Sequence, residues 1–367
     1  MRTVQRLIYR EVLAAVAFTT LAFLALMFFF DFVDQLGRIG RTGFTLTAAL
    51  LSTTLELPGR FYELFPITVL IGSIYALSRL AQSSEFTILR TAGLGPWRAL
   101  GMLSVVGVVF AVLTFVVGDW LAPAAAQKGV AVRAAASGGL TVGRAGAWLR
   151  DRVEADGQGP VTVSVHVARL GAAGELEGVR IYEFDTAGRL QRRIEAQHAR
   201  ADEDGRWQLQ GVRVDHWDRT DGWSRQQQAE RLEWAGNLKA SVVSAAVLPV
   251  GTMTTWELWR YSRHLSQQDQ AFAQHAIAFW KKALYPMACF VMLGLALPFA
   301  YLHARGGGIS WRVFGGIMIG ISFMVFNNLS NHLGLLQGWS PWVAAAAPGL
   351  FYLLLSLGAF AWLVRYR

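Results

Sequence analysis

Cysteine is almost absent: Cys289 is the single thiol in 367 residues. Lying inside an apolar run, it excludes a disulfide framework and any cysteine metal site. Lysine is scarce too. The four present, Lys128, Lys239, Lys281 and Lys282, include none that follows glycine in a Gly-x-x-x-x-Gly-Lys phosphate loop, so this chain hydrolyses no nucleotide by a P-loop. No His-Glu-x-x-His and no Gly-x-Ser-x-Gly occurs. Neither an enzyme nor a bound metal or cofactor is therefore expected. Charge is the last scarcity: 16% of residues are charged against 53% hydrophobic, which is wrong for two or three soluble domains and right for a membrane protein.

The charge that is present falls unevenly. Residues 121–282 hold 21 Lys+Arg and 18 Asp+Glu, leaving 13 and 7 for the other 205. A hydrocarbon core about 30 Å thick needs about 20 apolar residues, so the uncharged runs read as spans. These are Val12–Phe30, about Phe61–Leu80 with no charge from Leu64 to Ser78, Ala99–Gly118, Ala283–Ala304, and two cut from one long run, Val313–Leu336 and Trp342–Val364. Gln337-Gly-Trp-Ser-Pro341 supplies the break between the last two. Three spans thus stand on each side of a polar block.

Basic residues in short loops stay on the cytoplasmic side. With the N-terminus inside, ten arginines fall in cytoplasmic pieces and only Arg38, Arg41 and Arg60 in short outer loops, so both termini are expected in the cytoplasm and the polar block outside it. No span core holds Asp, Glu, Lys or Arg, which disfavours a self-powered ion-coupled carrier. Asn327, Asn328, Asn331 and His332 are the polar exceptions in the fifth span, where interhelical hydrogen bonding accounts for them.

Between about Gly138 and Ala246 the hydrophobic period becomes two. Val161-Thr-Val-Ser-Val-His-Val167 alternates strictly, and Val179–Phe184 and Val212–Trp217 nearly so. Asp156-Gly157, Thr186-Ala-Gly188, Asp204-Gly205 and Asp221-Gly222 punctuate the runs at hairpin spacing. Eight to ten short strands in an antiparallel sandwich or jelly roll are expected. Ala122–Ala136 and Thr255–Trp280 read as helical connectors. The division expected is 1–136, an N-terminal membrane half; 137–254, the β domain; and 255–367, a connector helix with the C-terminal membrane half.

The loop between spans two and three carries Ser83-Ser-Glu-Phe-Thr-Ile-Leu-Arg-Thr-Ala-Gly93. A serine cap, Glu85 in the first turn and a terminal glycine mark a helix of two to three turns. Phe86, Leu89, Arg90 and Gly93 share one stripe, which suits docking into a partner's groove or lying on lipid.

With these residues the chain resembles the LptF/LptG family of lipopolysaccharide export permeases, its LptG members more closely. The resemblance rests on Phe32-Val-Asp-Gln-Leu36, Leu64-Phe-Pro66, Leu80–Glu85 with Ala92-Gly93, Asp119-Trp-Leu-Ala-Pro123, Gly178–Phe184 and Arg189-Leu-Gln191, in that order over nearly the whole length. It implies six transmembrane helices with an all-β periplasmic jelly-roll domain inserted between helices 3 and 4. It also implies an inner-membrane subunit of an ABC transporter, paired with an LptF-like permease, bound to an LptB-like ATPase dimer and joined by an LptC-like protein with a single span. Lipopolysaccharide would be extracted from the membrane and passed to a periplasmic bridge. The segment 83–93 would be the coupling helix, with Ser84, Glu85, Phe86, Leu89, Arg90 and Gly93 facing the ATPase. Where the family carries basic residues at the outer end of the first span, this chain has Asp31 and Asp34.

A protein that lifts lipid A must cover acyl chains and pair phosphates. Each CH₂ is worth about 0.8 kcal/mol, so exposing one chain of a dozen carbons would cost on the order of 10 kcal/mol. Spans one and five are expected to line a membrane cavity with the partner, with Phe23, Phe30, Phe65, Ile317 and Phe326 as candidate lining. Arg38, Arg41, Arg60, Lys128, Arg133, Lys281 and Lys282 are candidates for the lipid headgroup. The alternative is a membrane-anchored periplasmic binding or scaffold protein that transports nothing.

Overall fold

A computed structural model describes residues 2–37, 39, 45–82, 96–137, 140–141, 147–155, 159–170, 175–185, 187–202, 206–217, 224–236, 250–264, 270–301 and 309–365. Eight α-helices are described: α1 (Arg2–Leu36), α2 (Leu46–Gln82), α3 (Pro96–Val116), α4 (Ala122–Ser137), α5 (Thr255–His264), α6 (Gln270–Tyr301), α7 (Ile309–Gln337) and α8 (Pro341–Arg365). Six stretches, in α1, α2, α3 with its continuation, α6, α7 and α8, are long and apolar enough to cross a membrane. The helices outrun the uncharged runs because a helix does not stop where the hydrocarbon does.

Local chemistry sets the ends. The Thr45 hydroxyl accepts from the Ala48 N–H at the start of α2. Gly338, at φ +64°, closes α7, Trp339 N–H donates back to the Gly334 carbonyl, and Pro341 opens α8 at the position where a missing N–H costs nothing. Between α3 and α4 the chain makes one π-helical turn, Val117–Leu121, which re-aims Asp119.

The chain divides into two compact units, one of residues 1–34, 53–126 and 254–367, the other of 35–52 and 127–253. In the first unit α2 and α6 are central, with 78% and 56% of their most apolar windows buried, against 17% for α1 and 22% for α7. Small residues let the helices approach. A Cβ at Gly72 would stand 2.7 Å from Val16 Cα, so α1 and α2 meet backbone to backbone. Gly316 and Gly320, one turn apart on α7, receive Ile74 and Ile67 of α2. Thr20 and Thr68 hydrogen bond at 2.9 Å across the α1–α2 seam.

In the second unit seven strands form one antiparallel sheet: β1 (Leu140–Thr141), β2 (Ala147–Ala155), β3 (Gly159–Leu170), β4 (Leu176–Phe184), β5 (Leu190–Ala201), β6 (Arg206–Trp217) and β7 (Ser224–Ala235). From β3 to β7 each strand pairs with the next, and β1 and β2 share the free edge of β3. Gly178 and Gly211 lie inside β4 and β6. Both have φ near +60° and flank Gln197 on one transverse row, a line along which the sheet kinks.

The kink rolls the sheet over. A flat sheet would hold β7 about 14 Å from β4 at about 4.8 Å per strand. Yet Trp234 of β7 donates its indole N–H to Glu183 Oε1 of β4 at 2.9 Å. The enclosed face carries Val165, Val167, Ile181, Ile194 and Trp207, all fully buried, with Trp207 edge-on to Trp234. The Asp185–Arg189 turn between β4 and β5 uses the glycine expected there, Gly188 at φ +77°. The Asp185 carboxylate accepts from the N–H groups of Ala187 and Arg189 and from Arg189 Nε. Chiefly through the Arg189 backbone N–H, this carboxyl is held below the usual carboxylate range. Asp204-Gly205 and Asp221-Gly222 lie outside the described residues.

Candidate functional site

Span 1 and span 5 flank the same helix. α1 sits on α2 at Gly72, and α7 sits on α2 through Ile67 and Ile74. Elsewhere both are bare: Phe18, Leu21 and Phe29 of α1 are 60–75% exposed, and Met318, Ile321 and Val325 of α7 about half exposed. In a soluble protein such faces would mark an interface. In a membrane they meet lipid or another subunit's helices.

Of the candidate cavity residues, Phe30 is exposed on α1, Phe23 and Ile317 are half-buried, and Phe326 packs partly on the membrane core and edge-on to Phe351. Phe65 has to be withdrawn. It is 3% exposed, stacked on Phe61 and edge-on to Phe110, and packs α2 against α3 inside the bundle.

The candidate headgroup cations separate by what they touch. Arg60 is committed inside the chain: its Nε and Nη2 each donate to an oxygen of Asp31 at 2.8 Å, and Glu63 stands 3.6 Å from Nη1. This fork-to-fork pair neutralises the guanidinium and gives Asp31 a structural role at the end of α1. Lys282 is likewise held, 4.0 Å from Asp119 Oδ1 with both side chains largely buried. Lys128 is exposed and Arg133 half-buried on α4, in the second compact unit. Arg38 and Arg41 lie outside the described residues, as does the whole of 83–93, with Ser84, Glu85, Phe86, Leu89, Arg90 and Gly93.

Asp119 is a residue that spacing alone does not single out. On the π-helical turn, its Oδ1 accepts from Thr255 N–H at 2.6 Å, 136 residues away, while facing Lys282. Beside it Thr254 and Glu257 form a reciprocal capping box: Glu257 Oε2 accepts from Thr254 N–H at 2.7 Å, and Thr254 Oγ1 accepts from Glu257 N–H at 3.2 Å. The signal Thr254-x-x-Glu257 is legible in sequence; its partner on span 3 is not. The π-helical turn after α3, the start of α5 and the first half of α6 are thereby tied at one point.

Lys281 goes elsewhere. It lines a groove of about 410 Å³ bounded by α3, α6, α7 and α8, to which neither α1 nor α2 contributes a residue.

Bare helices flanking a central one, an antiparallel β unit inserted between the third and fourth spans, and no metal-binding cluster among the described residues define a multi-pass membrane protein with an extramembrane β domain. Which one is shown by comparison. Residues 6–365 match the family described as lipopolysaccharide export system permease LptF/LptG, and the chain belongs to that family. It is 26% identical over 359 residues to the lipopolysaccharide export system permease protein LptG of Escherichia coli (strain K12), with 96% of each chain covered, and equally so to that of strain CFT073. The LptG protein of Haemophilus influenzae is 25% identical over 356 residues, again 96% of each chain.

Proposed function

We propose that this chain is one of two paired permease subunits of an ATP-driven exporter that withdraws lipopolysaccharide from the inner membrane and passes it to a periplasmic bridge. The observation that carries the reading is the pair of bare apolar faces on α1 and α7, seated on either side of α2 in a chain of the LptF/LptG family. Packed against an LptF-like partner, these faces would wall a lipid-accessible cavity in which acyl chains stay covered. Ten arginines on one side of the spans against three on the other support cytoplasmic termini and a periplasmic β domain. An LptB-like ATPase dimer would supply the energy through the segment 83–93, and an LptC-like protein would join on the periplasmic side.

Lipid phosphates need cations, and the bidentate hold of Asp31 on Arg60 turns attention to Arg38, Arg41 and Lys128. The interior of the rolled sheet is filled by side chains, so acyl chains enter it only if the β4–β7 closure at Glu183 and Trp234 opens.

Photocrosslinking in cells tests this reading. A crosslinker at Leu21 or Phe29 of α1, or at Ile321 of α7, should capture lipopolysaccharide or a second permease, whereas one at Leu354 of α8 should capture neither. Equal capture at all four positions would remove the α1–α7 surface from the proposal. For the coupling segment, Glu85→Lys should abolish ATP-driven lipid release while leaving membrane insertion intact; full release with normal ATPase co-purification would sink that assignment.

A further inference from the structure

The groove beside α6 has no part in the export reading above. Its lining is hydrocarbon apart from Lys281, Asn327, the Tyr285 hydroxyl and two serines; Tyr285 donates to the Glu63 carbonyl of α2 and Ser104 to the Leu100 carbonyl. Lys281 and Asn327 sit toward one end. Gly334 abuts Ile277 and Ala344, which fixes a common level on α6, α7 and α8. At 1.5 Å per residue, Lys281 lies about 6 Å and Asn327 about 10 Å deeper into the bundle from that level. Beyond them the trough is apolar apart from the Ser104 and Ser356 hydroxyls.

Asn327 is 9% exposed, and its amide has no hydrogen-bond partner among the described residues. At membrane depth an unpaired amide is costly, so a partner must come from whatever fills the groove. The shape of the groove limits the occupant. From Lys281 to Gly294 the groove follows α6 for about 20 Å. A trough of that length with a cation and an amide toward one end matches a single lipid, headgroup at Lys281 and Asn327 and acyl chain along α6.

We propose that this groove binds one bilayer glycerophospholipid. Its phosphate pairs with the Lys281 ammonium, an ester carbonyl accepts from the Asn327 amide, and one acyl chain lies along α6 toward Gly294 and Leu357. The aliphatic stem of Lys281 packs on the apolar wall while its head reaches the lipid phosphate. The proposal goes beyond the export reading and does not rest on it.

The full-length chain, with the subunits that co-purify, is titrated with phosphatidylglycerol and, separately, with a diacylglycerol of the same chains, and bound lipid is counted by native mass spectrometry. Lys281→Gln should weaken phosphatidylglycerol about tenfold, equivalent to about 1.4 kcal/mol, and leave diacylglycerol unchanged. Asn327→Leu should weaken both, and Ala346→Phe, which fills the trough from α8, should abolish retention of both. Wild-type retention of phosphatidylglycerol by Lys281→Gln and Ala346→Phe overturns the proposal. So does displacement of lipopolysaccharide in place of phospholipid, or capture of a protein helix by a photocrosslinker at Leu353.

Discussion

The seat of α1 on α2 can be tested by making one substitution at two places on the same helix. At Gly72 an alanine methyl would stand 2.7 Å from Val16 Cα, 2.8 Å from Val16 N and 3.0 Å from the Ala15 carbonyl carbon. Ordinary carbon contacts are about 3.5–4.0 Å, so α1 must retreat by about 1 Å, and backbone atoms cannot swing aside as a side chain would. Overpacking of this kind costs about 1–3 kcal/mol. The retreat also stretches the Thr20–Thr68 hydrogen bond one turn away, worth about 0.6 kcal/mol in a membrane. Against that, alanine gains up to about 1 kcal/mol over glycine in helix propensity. Gly72→Ala should therefore destabilise by about 1–3 kcal/mol. Gly59, on the same helix, has nothing within 4 Å of its would-be methyl. Gly59→Ala should be neutral or stabilise by up to about 1 kcal/mol. Thermal unfolding of both variants in one detergent gives the comparison. A Gly72→Ala protein melting like wild type, or a Gly59→Ala protein melting below it, would refute the seating argument.

Three further outcomes follow from the polar contacts. Asp31→Asn should lower stability by about 1 kcal/mol, since Arg60 is partly solvated, and the swap Asp31→Arg with Arg60→Asp should recover most of it; no recovery means the pair is incidental. Asp119→Ala removes a helix cap and the neighbour of Lys282, so it should cost about 1–2 kcal/mol and speed amide exchange at the start of α5, with unchanged exchange as the contrary result. The Asp185 carboxyl has a lowered folded pKa, so its stabilisation is full above the unfolded value of about 3.9 and is lost as pH falls through the folded one. The gap in melting temperature between wild type and Asp185→Asn should accordingly narrow on acidification below about pH 4, and a constant gap would count against it.

The spans were legible because hydrocarbon tolerates so little charge: each expected span falls on a described helix, the fourth as far as Tyr301, and Gly338 with Pro341 ends one and opens the next. The sheet face was legible where Val161–Val167 alternate. Its rolling was not, because only the strand register sets Gly178 and Gly211 on one row beside Gln197. Phe65 misled for a related reason: a helix apolar all round gives no sign of which side faces lipid and which the bundle. Asp119 and Thr255 are too far apart in sequence for any period to join them, although the capping box next to Thr255 was readable. The groove was invisible too, since its walls come from four helices whose small residues share no repeat. The docking segment 83–93 rests on sequence and family alone.

Gly72, Gly316 and Gly320 also decide how this chain can move. Where backbone meets backbone, and where an isoleucine fills the place of a missing side chain, there are no alternative rotamers to slip between, so α1, α2 and α7 form a single stiff blade. The cavity proposed between α1, α7 and a partner permease would then widen or narrow by tilting that blade against the partner. α2 is the shaft of the blade, and its described helix ends at Gln82, one residue before the segment proposed to meet the ATPase. A push delivered there would reach both lipid-facing helices without passing through a flexible joint.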